Sequence, residues 1–198
     1  MKLALKSSLL ALVCVSGAAM AGNFSGPEAG ASVTMNGGST KFKSDGEEVT
    51  LGGESIGCKL HGGYGLDVSK DTVVLLGLDY NVTDLVVGNI LGENFKTKNS
   101  WSLSVAPGML LNDKTLAYVK LSYEAGNLSL KVPSASVDKS ISGFGYGIGL
   151  RTEINKTTFF ETEIKQVNYK KSSYKSGGDT ADITPAVTVG SVGVVFKF

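Results

Sequence analysis

Cysteine, proline, long apolar runs and an excess of one charge are all scarce or missing in this sequence. Its 198 residues include 2 cysteines and 4 prolines, and 19 basic residues stand against 18 acidic ones. A balanced charge gives no reason to expect nucleic acid as a partner. No apolar stretch beyond the N-terminal region approaches the roughly 20 residues that a transmembrane helix needs. Helical membrane proteins and nucleic-acid-binding proteins are therefore disfavoured.

The apolar N-terminus has the order of a secretory signal peptide. Its basic, apolar and small-residue parts are Lys2 and Lys6, residues 9–15, and Ala19-Met20-Ala21. The apolar part is too short to remain as a membrane helix. We expect cleavage after Ala21, which makes residues 1–21 the signal peptide and residues 22–198 a single domain.

Cysteine usage after export restricts the class further. Cys58 would be the only cysteine left, because Cys14 lies within the predicted signal peptide. A disulfide scaffold is therefore excluded, and stability must come from another source, such as a membrane. The 26 glycines fit neither a helix bundle nor a disordered chain with few apolar residues. An all-β protein with many short strands is the remaining class.

Eight segments of about ten residues alternate apolar with polar or small side chains, as tilted transmembrane strands do. In the first segment Ala31 and Val33 alternate with Ser32 and Thr34. Leu75 is an apolar exception on the polar face of the third segment. A soluble sandwich would also alternate, so alternation alone does not decide between a packed core and lipid.

The connections between these segments favour a membrane barrel. Short connections fall at residues 69–71, 112–114 and 155–156, and long polar ones at residues 37–54, 83–98, 127–139 and 168–185. Short and long connections alternate, as they do where short turns face the periplasm and long loops face outside. The sequence therefore predicts an all-β fold, an eight-stranded antiparallel up-and-down transmembrane β-barrel spanning the domain at residues 22–198.

The chain resembles the OmpA-like and opacity-protein-like superfamily of small outer-membrane barrels, the porin-family outer-membrane β-barrel domain. The segments that carry the resemblance are His61-Gly62-Gly63-Tyr64-Gly65, residues 76–80, 116–123 and 145–150, and the terminal Phe196-Lys197-Phe198. The resemblance implies a Gram-negative outer membrane and makes Gly193, Phe196 and Phe198 the signal read by the outer-membrane assembly machinery. The seventh strand departs from the family, with Glu163-Ile164 where a Glu-Tyr pair is common.

If the apolar faces meet lipid, a set of charged side chains points into the lumen. An eight-stranded barrel is just wide enough for side chains to fill, so we expect these groups to pair and block the bore. A narrow, gated ion path is the alternative. The predicted lumen charge network is Lys59, His61, Asp67, Asp79, Lys120, Glu124, Arg151, Glu161, Glu163 and Lys165.

Catalytic, metal and cofactor sites find little support. His61 is the only histidine, and Ser102 or Ser104 with Asp79 could complete a triad only from different strands. The His-x-Ser arrangement of lipid A deacylase barrels is missing, and one histidine with one outward cysteine gives no zinc cluster. The alternating glycines of residues 143–149 do not have the spacing of a phosphate loop. We expect no enzyme activity, no metal and no cofactor; an enzyme acting on lipid is the least favoured alternative.

The last long connection contains interleaved basic and aromatic residues that could bind lipopolysaccharide or a host polyanion. These loop interaction candidates are Tyr169, Lys170, Lys171, Tyr174 and Lys175. The function expected from the whole pattern is a non-enzymatic, surface-exposed structural or adhesion-type protein with four long extracellular loops. Outer-membrane lipid, lipopolysaccharide, the assembly machinery and a host-surface ligand are its expected partners, and a narrow porin-like channel is the alternative.

Overall fold

The computed structural model describes residues 23–44, 47–90, 93–132, 135–176 and 179–198. The predicted signal peptide lies outside these residues. Within them no helix is long and apolar enough to cross a membrane. The strands are β1 Gly26–Ser44, β2 Glu47–Asp67, β3 Thr72–Asn81, β4 Leu85–Ile90, β5 Glu93–Asn112, β6 Thr115–Val132, β7 Ala135–Asn155, β8 Thr158–Tyr169, β9 Ser172–Ser176 and β10 Asp179–Lys197.

Eight of these strands form a closed antiparallel ring in the order β1-β2-β3-β5-β6-β7-β8-β10, which β1 closes by pairing with β10. Each residue of the ring can be followed to its paired neighbour on the next strand. Starting at Pro27 of β1, whose partner on β2 is Tyr64, one turn around the ring returns to β1 at Gly37, ten residues after the start. This stagger tilts the strands by about 40° to the barrel axis. The predicted eight-stranded up-and-down barrel is confirmed.

The outer wall of the barrel carries an apolar band. Val33, Leu78 and Ile148 are all at least half exposed on this wall. Trp101 and Tyr123 lie 6.1 Å apart, and Tyr123 lies 5.8 Å from Phe144, so aromatic rings line one level of neighbouring strands. Apolar side chains outside and polar ones inside are the arrangement of a barrel in lipid, with aromatics at an interface.

The tight turns lie at one end of the barrel, where they were predicted. The backbone N–H of Lys114 donates to Oδ1 of Asn112 at 2.9 Å, and that of Thr157 donates to Oδ1 of Asn155 at 3.0 Å. Asparagine fixes a turn in this way because its side chain reaches the backbone two residues on.

The four long connections are not loops, and this part of the sequence interpretation was wrong. Most of residues 37–54, 83–98, 127–139 and 168–185 is paired strand. β1, β2 and β7 have 19, 21 and 21 residues, about twice the length that crosses a bilayer. The barrel strands therefore continue well beyond the apolar band, on the side opposite the tight turns. We call the described parts of residues 37–57, 83–100, 125–142 and 168–188 the outer section.

The outer section reverses the polarity of the barrel wall. Lys41 and Lys43 of β1 point outward there, whereas Phe42 between them packs into a buried apolar cluster. A polar outer face and an apolar inner face are the arrangement expected of a section that is surrounded by water instead of lipid. The cluster consists of Val87, Phe95, Leu128, Ile141, Val167, Tyr169, Ile183, Val187 and Val189, with Phe42 and Leu51 against it.

The ring is interrupted in the outer section because β3 and β8 are short. Among the described residues, β9 pairs only with β10, and β4 pairs only with β5. The section therefore consists of two sheets, β9-β10-β1-β2 and β4-β5-β6-β7, which face each other across the apolar cluster. β4, which belongs to the second sheet, packs against the inner face of the first sheet. The contact is so close that a Cβ on Gly38 would clash with the backbone of Val87.

Candidate functional site

The interior of the barrel at membrane level holds a network of ten buried charged or ionisable side chains, supplied by six strands. Five carboxylates stand against three lysines, one arginine and one histidine, each in at least one ion pair. Strand alternation places all of them on the inner face, because residues two apart point to the same side. The members are Glu28, Lys59, His61, Asp79, Lys120, Glu124, Arg151, Glu161, Glu163 and Lys165.

His61 joins two carboxylates from strands on either side of β2. Its Nδ1 lies 2.7 Å from Oδ1 of Asp79, and its Nε2 lies 2.9 Å from Oε1 of Glu28. A neutral imidazole has one N–H, so only the doubly protonated ring donates to both carboxylates. With that ring charged, the network has five positive and five negative groups and is neutral.

Lys120 is the centre of the second half of the network. Its Nζ donates to Oδ2 of Asp79 at 2.9 Å and lies 3.0 Å from Oε2 of Glu163. Lys59 adds a longer contact of 3.6 Å to Oε1 of Glu163, and Lys165 lies 2.6 Å from Glu124. Each buried charge thus meets an opposite one, which is the condition for tolerating it away from water.

Arg151 crosses the lumen from β7 to β1. Its Nη1 donates to Oε2 of Glu28 and its Nη2 to Oε2 of Glu161, both at 2.6 Å. Glycine alternates along β7 beside it, and Tyr118 occupies the space over Gly149. The inner face of β7 is therefore bare where side chains of neighbouring strands fill the bore.

Apolar layers close the lumen on both sides of the charged network. Toward the tight turns, Phe24 packs against Phe159 with ring centroids 5.1 Å apart, and Leu75 and Leu116 are buried beside them. Leu75, the exception in the alternating pattern, belongs to this layer. The apolar cluster of the outer section forms the layer at the opposite end.

Little space remains between the side chains of the network. A cavity lined by His61, Tyr118, Arg151 and Glu161 among others has a volume of about 10 Å³. A water molecule needs about that much room. The charged side chains around it are buried, so the part of the chain that the structure describes leaves no open bore at this level.

Nine residues of the predicted lumen network come together in the structure. The tenth, Asp67, lies half-buried at the tight-turn end of β2, opposite Val73 of β3. Sequence reasoning left Glu28 out of the network although alternation already placed it on the inner face. Tyr118 was also missed, and its hydroxyl donates to Oε2 of Glu163 at 3.1 Å. Alternation marks Tyr118 as inward, but nothing in the sequence pairs it with Glu163.

The predicted loop candidates are divided by the structure. Tyr169 is buried in the apolar cluster of the outer section, so its assignment to an exposed loop was wrong. Lys170 and Lys171 are exposed, and Lys171 donates to Oδ2 of Asp182 at 2.8 Å. The side chains of Tyr174 and Lys175 lie outside the described part of the chain. At the C-terminus, Phe196 and Phe198 are exposed on the outer wall, and Gly193 pairs with Ser32.

The arrangement around His61 offers no catalytic triad. Both ring nitrogens face carboxylates, while Ser102 Oγ donates to Asp79 at 3.3 Å and Ser104 Oγ donates to a backbone carbonyl. A general base needs a free ring nitrogen beside the nucleophile. Among the described residues, no group of three or more His, Cys, Asp or Glu side chains is arranged to hold a metal ion.

Three solved structures of outer-membrane proteins are similar to this chain. The outer membrane protein OprG from Pseudomonas aeruginosa is 13% identical with a TM-score of 0.56, and the match covers 89% of this chain and 98% of OprG. Neisserial surface protein A is 12% identical with a TM-score of 0.48, covering 85% and 97%. Ail, the attachment invasion locus protein of Yersinia pestis, solved with the heparin analogue sucrose octasulfate, is 14% identical with a TM-score of 0.42, covering 84% and 99%. At these identities the likeness concerns the fold alone.

Sequence comparisons identify the family. No curated protein sequence matches this chain. The model of the family described as outer membrane protein beta-barrel domain matches residues 7–198. The chain belongs to this family of small OmpA-like and opacity-like barrels of the bacterial outer membrane.

Proposed function

We propose that this protein is a non-enzymatic structural and surface-interaction protein, with a closed barrel as membrane anchor and the outer section as contact surface. The observation that carries the proposal is the filled lumen, in which the charged network lies between two apolar layers. A permeating ion would have to separate several buried ion pairs, and breaking one such pair costs about 3–5 kcal/mol. The narrow porin-like channel is therefore the weaker candidate.

A recording in a planar lipid bilayer tests the closed lumen. We expect purified protein to give no discrete current steps, whereas a channel would open and respond to the charge of its lining. Steps whose size changes in the Glu163→Lys variant would overturn the closed-lumen proposal and favour the channel. Heat-modifiable migration on gels verifies that each variant is folded.

The outer section has the properties of a contact surface in water. Most of its outward side chains are polar and exposed, among them Lys41, Lys43, Lys170 and Lys171, and its apolar cluster packs between the two sheets. Lipopolysaccharide and host-surface molecules are the partners we propose for it, because basic side chains attract anionic groups.

Adherence of cells tests this surface. Replacing residues 41–50 by Asn-Gly joins Thr40 to Leu51, which are paired neighbours, through a tight two-residue turn. We expect cells with the full chain to be retained on at least one surface coated with heparin, fibronectin or collagen, and cells with the trimmed chain to be retained less. Equal retention of cells that lack the protein would contradict the interaction function.

The non-enzymatic assignment has its own test. His61 is the residue on which lipid chemistry would depend, and its two ring nitrogens are occupied by Asp79 and Glu28. We expect the His61→Ala variant to leave the lipid A mass spectrum of intact cells unchanged. A difference from wild-type cells would support an enzyme acting on lipid.

Export and assembly signals complete the proposal. We propose cleavage after Ala21, which the mass of protein purified from outer membranes would test. We also propose that Gly193, Phe196 and Phe198 are read by the assembly machinery. Deletion of Phe198, which is 81% exposed, should slow assembly in cells without lowering the stability of refolded protein.

A further inference from the structure

The outer half of β2, residues 48–57, has an open edge. On one side these residues pair with β1 along their whole length. On the other side, pairing with β3 covers only residues 59–67. The last bonds on that side are from Val82 N–H to the carbonyl of Cys58 at 2.9 Å and from Cys58 N–H to Oγ1 of Thr83 at 3.0 Å.

These last bonds identify which backbone groups face the open edge. The N–H and C=O of Cys58 both point away from β1, and backbone direction alternates along a strand. The same groups of Ile56, Glu54, Gly52 and Thr50 therefore point to the open side. No backbone partner of theirs occurs on that side within the described residues, and all of them are exposed.

The edge is open because the chain after β3 turns into the barrel instead of continuing beside β2. Backbone N–H of Val86 donates to Oγ of Ser55 at 3.1 Å, and Oγ1 of Thr40 donates to the carbonyl of Val87 at 2.6 Å. A Cβ on Gly53, which would point inward, meets Val86 and Gly88. β4 thus covers the inner face of β2, and within the described residues no strand pairs with the free edge of β2 at residues 48–57.

We propose that residues 48–57 of β2 form a strand-addition site for an extended segment of another polypeptide that carries basic side chains. This inference rests on the proposed surface-interaction function and names the chemistry of one partner. Unpaired N–H and C=O groups at the regular spacing of a strand match another strand, and main-chain bonding at sheet edges is an established mode of peptide recognition.

The negative charge of the open edge favours a partner with basic side chains. Residues 47–57 contain three glutamates and no lysine or arginine. Glu48 is paired with Lys41 at 3.2 Å, whereas Glu54 is exposed and has no ion pair within the described residues. A basic side chain opposite Glu54 would gain a cross-strand ion pair.

A second copy in the same membrane does not fit this edge. β2 runs toward the tight turns in every copy, so two β2 edges in one membrane cannot meet in the antiparallel arrangement of the rest of this sheet. Both edges would also carry Glu54, and like charges across a strand pair are destabilising. The occupant is therefore a strand from a different protein.

The test uses the full chain in lipid nanodiscs and a synthetic probe. The probe is a decapeptide alternating valine with threonine or lysine, N-methylated along one edge so that it cannot associate with itself. Before addition, we expect amide protons of Gly52 and Glu54 to exchange much faster than those of Leu51 and Gly53, which face β1. On addition, exchange at Gly52 and Glu54 should slow at least tenfold. Unchanged exchange at millimolar probe would overturn the proposal.

Two variants of the protein and a probe in which glutamate replaces lysine act as controls. Gly52→Pro removes an N–H at the open edge without taking one from the β1 pairing, and it should weaken probe binding at least tenfold. Glu54→Lys should weaken binding of the lysine probe about fivefold and strengthen binding of a glutamate probe. Equal binding of both probes to the wild-type chain would contradict the charge preference, and this readout stands even if the proline variant does not fold.

The edge and the broader function can fail separately. If cells bearing Gly52→Pro adhere as well as wild-type cells and the probe does not bind, the edge proposal is wrong and the interaction function stands. If wild-type cells do not adhere at all but the probe slows exchange, the strand site stands and the adhesion function is wrong.

Discussion

Arg151 and Glu28, 123 residues apart in the sequence, meet across the lumen at 2.6 Å. The pair joins β7 to β1, which are not neighbours in the ring. The same guanidinium also binds Glu161 on β8, so one side chain ties three strands together from inside.

Removing Arg151 should destabilise the barrel strongly. Among the described residues, the Arg151→Met variant leaves buried Glu161 without an ion-pair partner and leaves Glu28 with His61 alone, and a broken buried pair costs about 3–5 kcal/mol. Urea unfolding of protein refolded in lipid vesicles measures the loss. Lys156→Met, in an exposed turn, is the control and should change stability little. Adding Glu161→Gln to Arg151→Met should recover part of the loss, since the uncompensated charge of Glu161 is then gone while Glu28 keeps His61; no recovery would contradict the ion-pair explanation.

Gly149 is required because the ring of Tyr118 occupies the place of its side chain. A Cβ at Gly149 would overlap Cζ and the hydroxyl oxygen of Tyr118. Gly149→Ala should therefore lower the free energy of unfolding by about 1–3 kcal/mol, the usual range for overpacking. Gly62→Ala is the matched control, because nothing lies within 4 Å of its added Cβ. In the Tyr118→Ala variant, adding Gly149→Ala should cost much less stability than it does in the wild-type protein, because the clashing ring is gone. An equal cost of Gly149→Ala in both proteins would argue against the clash.

Alternation predicted the membrane part of the fold and failed to predict the outer section. In the membrane the outward residues, such as Val33 and Ile148, are apolar, and that pattern is visible without a structure. Beyond the membrane, Lys41 and Lys43 point outward and Phe42 inward, so a search for apolar outer faces interprets these residues as loop. Along β1 the surroundings of the outer face change from apolar to polar, while side chains still alternate between the two faces every second residue.

The candidate site could be predicted as a set but not as pairs. Alternation places Lys120, Asp79 and Glu163 on the inner face, yet which carboxylate Lys120 meets depends on the stagger of the ring, which no short sequence pattern specifies. The inward path of β4 is equally invisible in sequence. This path needs residues without a side chain at Gly38 and Gly53, where β4 crosses β1 and β2. Because the sequence has many other glycines, these two do not stand out.

The contact between Lys171 and Asp182 gives the outer section a defined response to acid. Hydrogen bonds from Lys171 and Ser173 hold the pKa of Asp182 below its ordinary value of 3.8. A carboxyl with a lowered pKa stabilises the fold above its ordinary pKa, and this contribution is lost as the pH falls through the lowered value. We expect the contact to persist at pH 5 and to open only below pH 3.8. Carboxyl carbon NMR of Asp182 measures this, and Lys171→Met should move the midpoint upward; an unchanged midpoint would assign the shift to another group.

Phe95 should control the outer section without controlling the barrel. Its ring is buried and meets Phe42 edge-on with centroids 5.2 Å apart. Truncating a buried phenylalanine costs about 3–5 kcal/mol, and here the loss falls on the contact between the two sheets, outside the membrane. We therefore expect Phe95→Ala to keep heat-modifiable folding while proteinase K added to intact cells cleaves the outer section. Phe160→Ala, which removes an exposed ring from the lipid-facing wall, should remain resistant. If Phe95→Ala cells resist the protease as well as wild-type cells, the outer section is held together by something other than its apolar cluster.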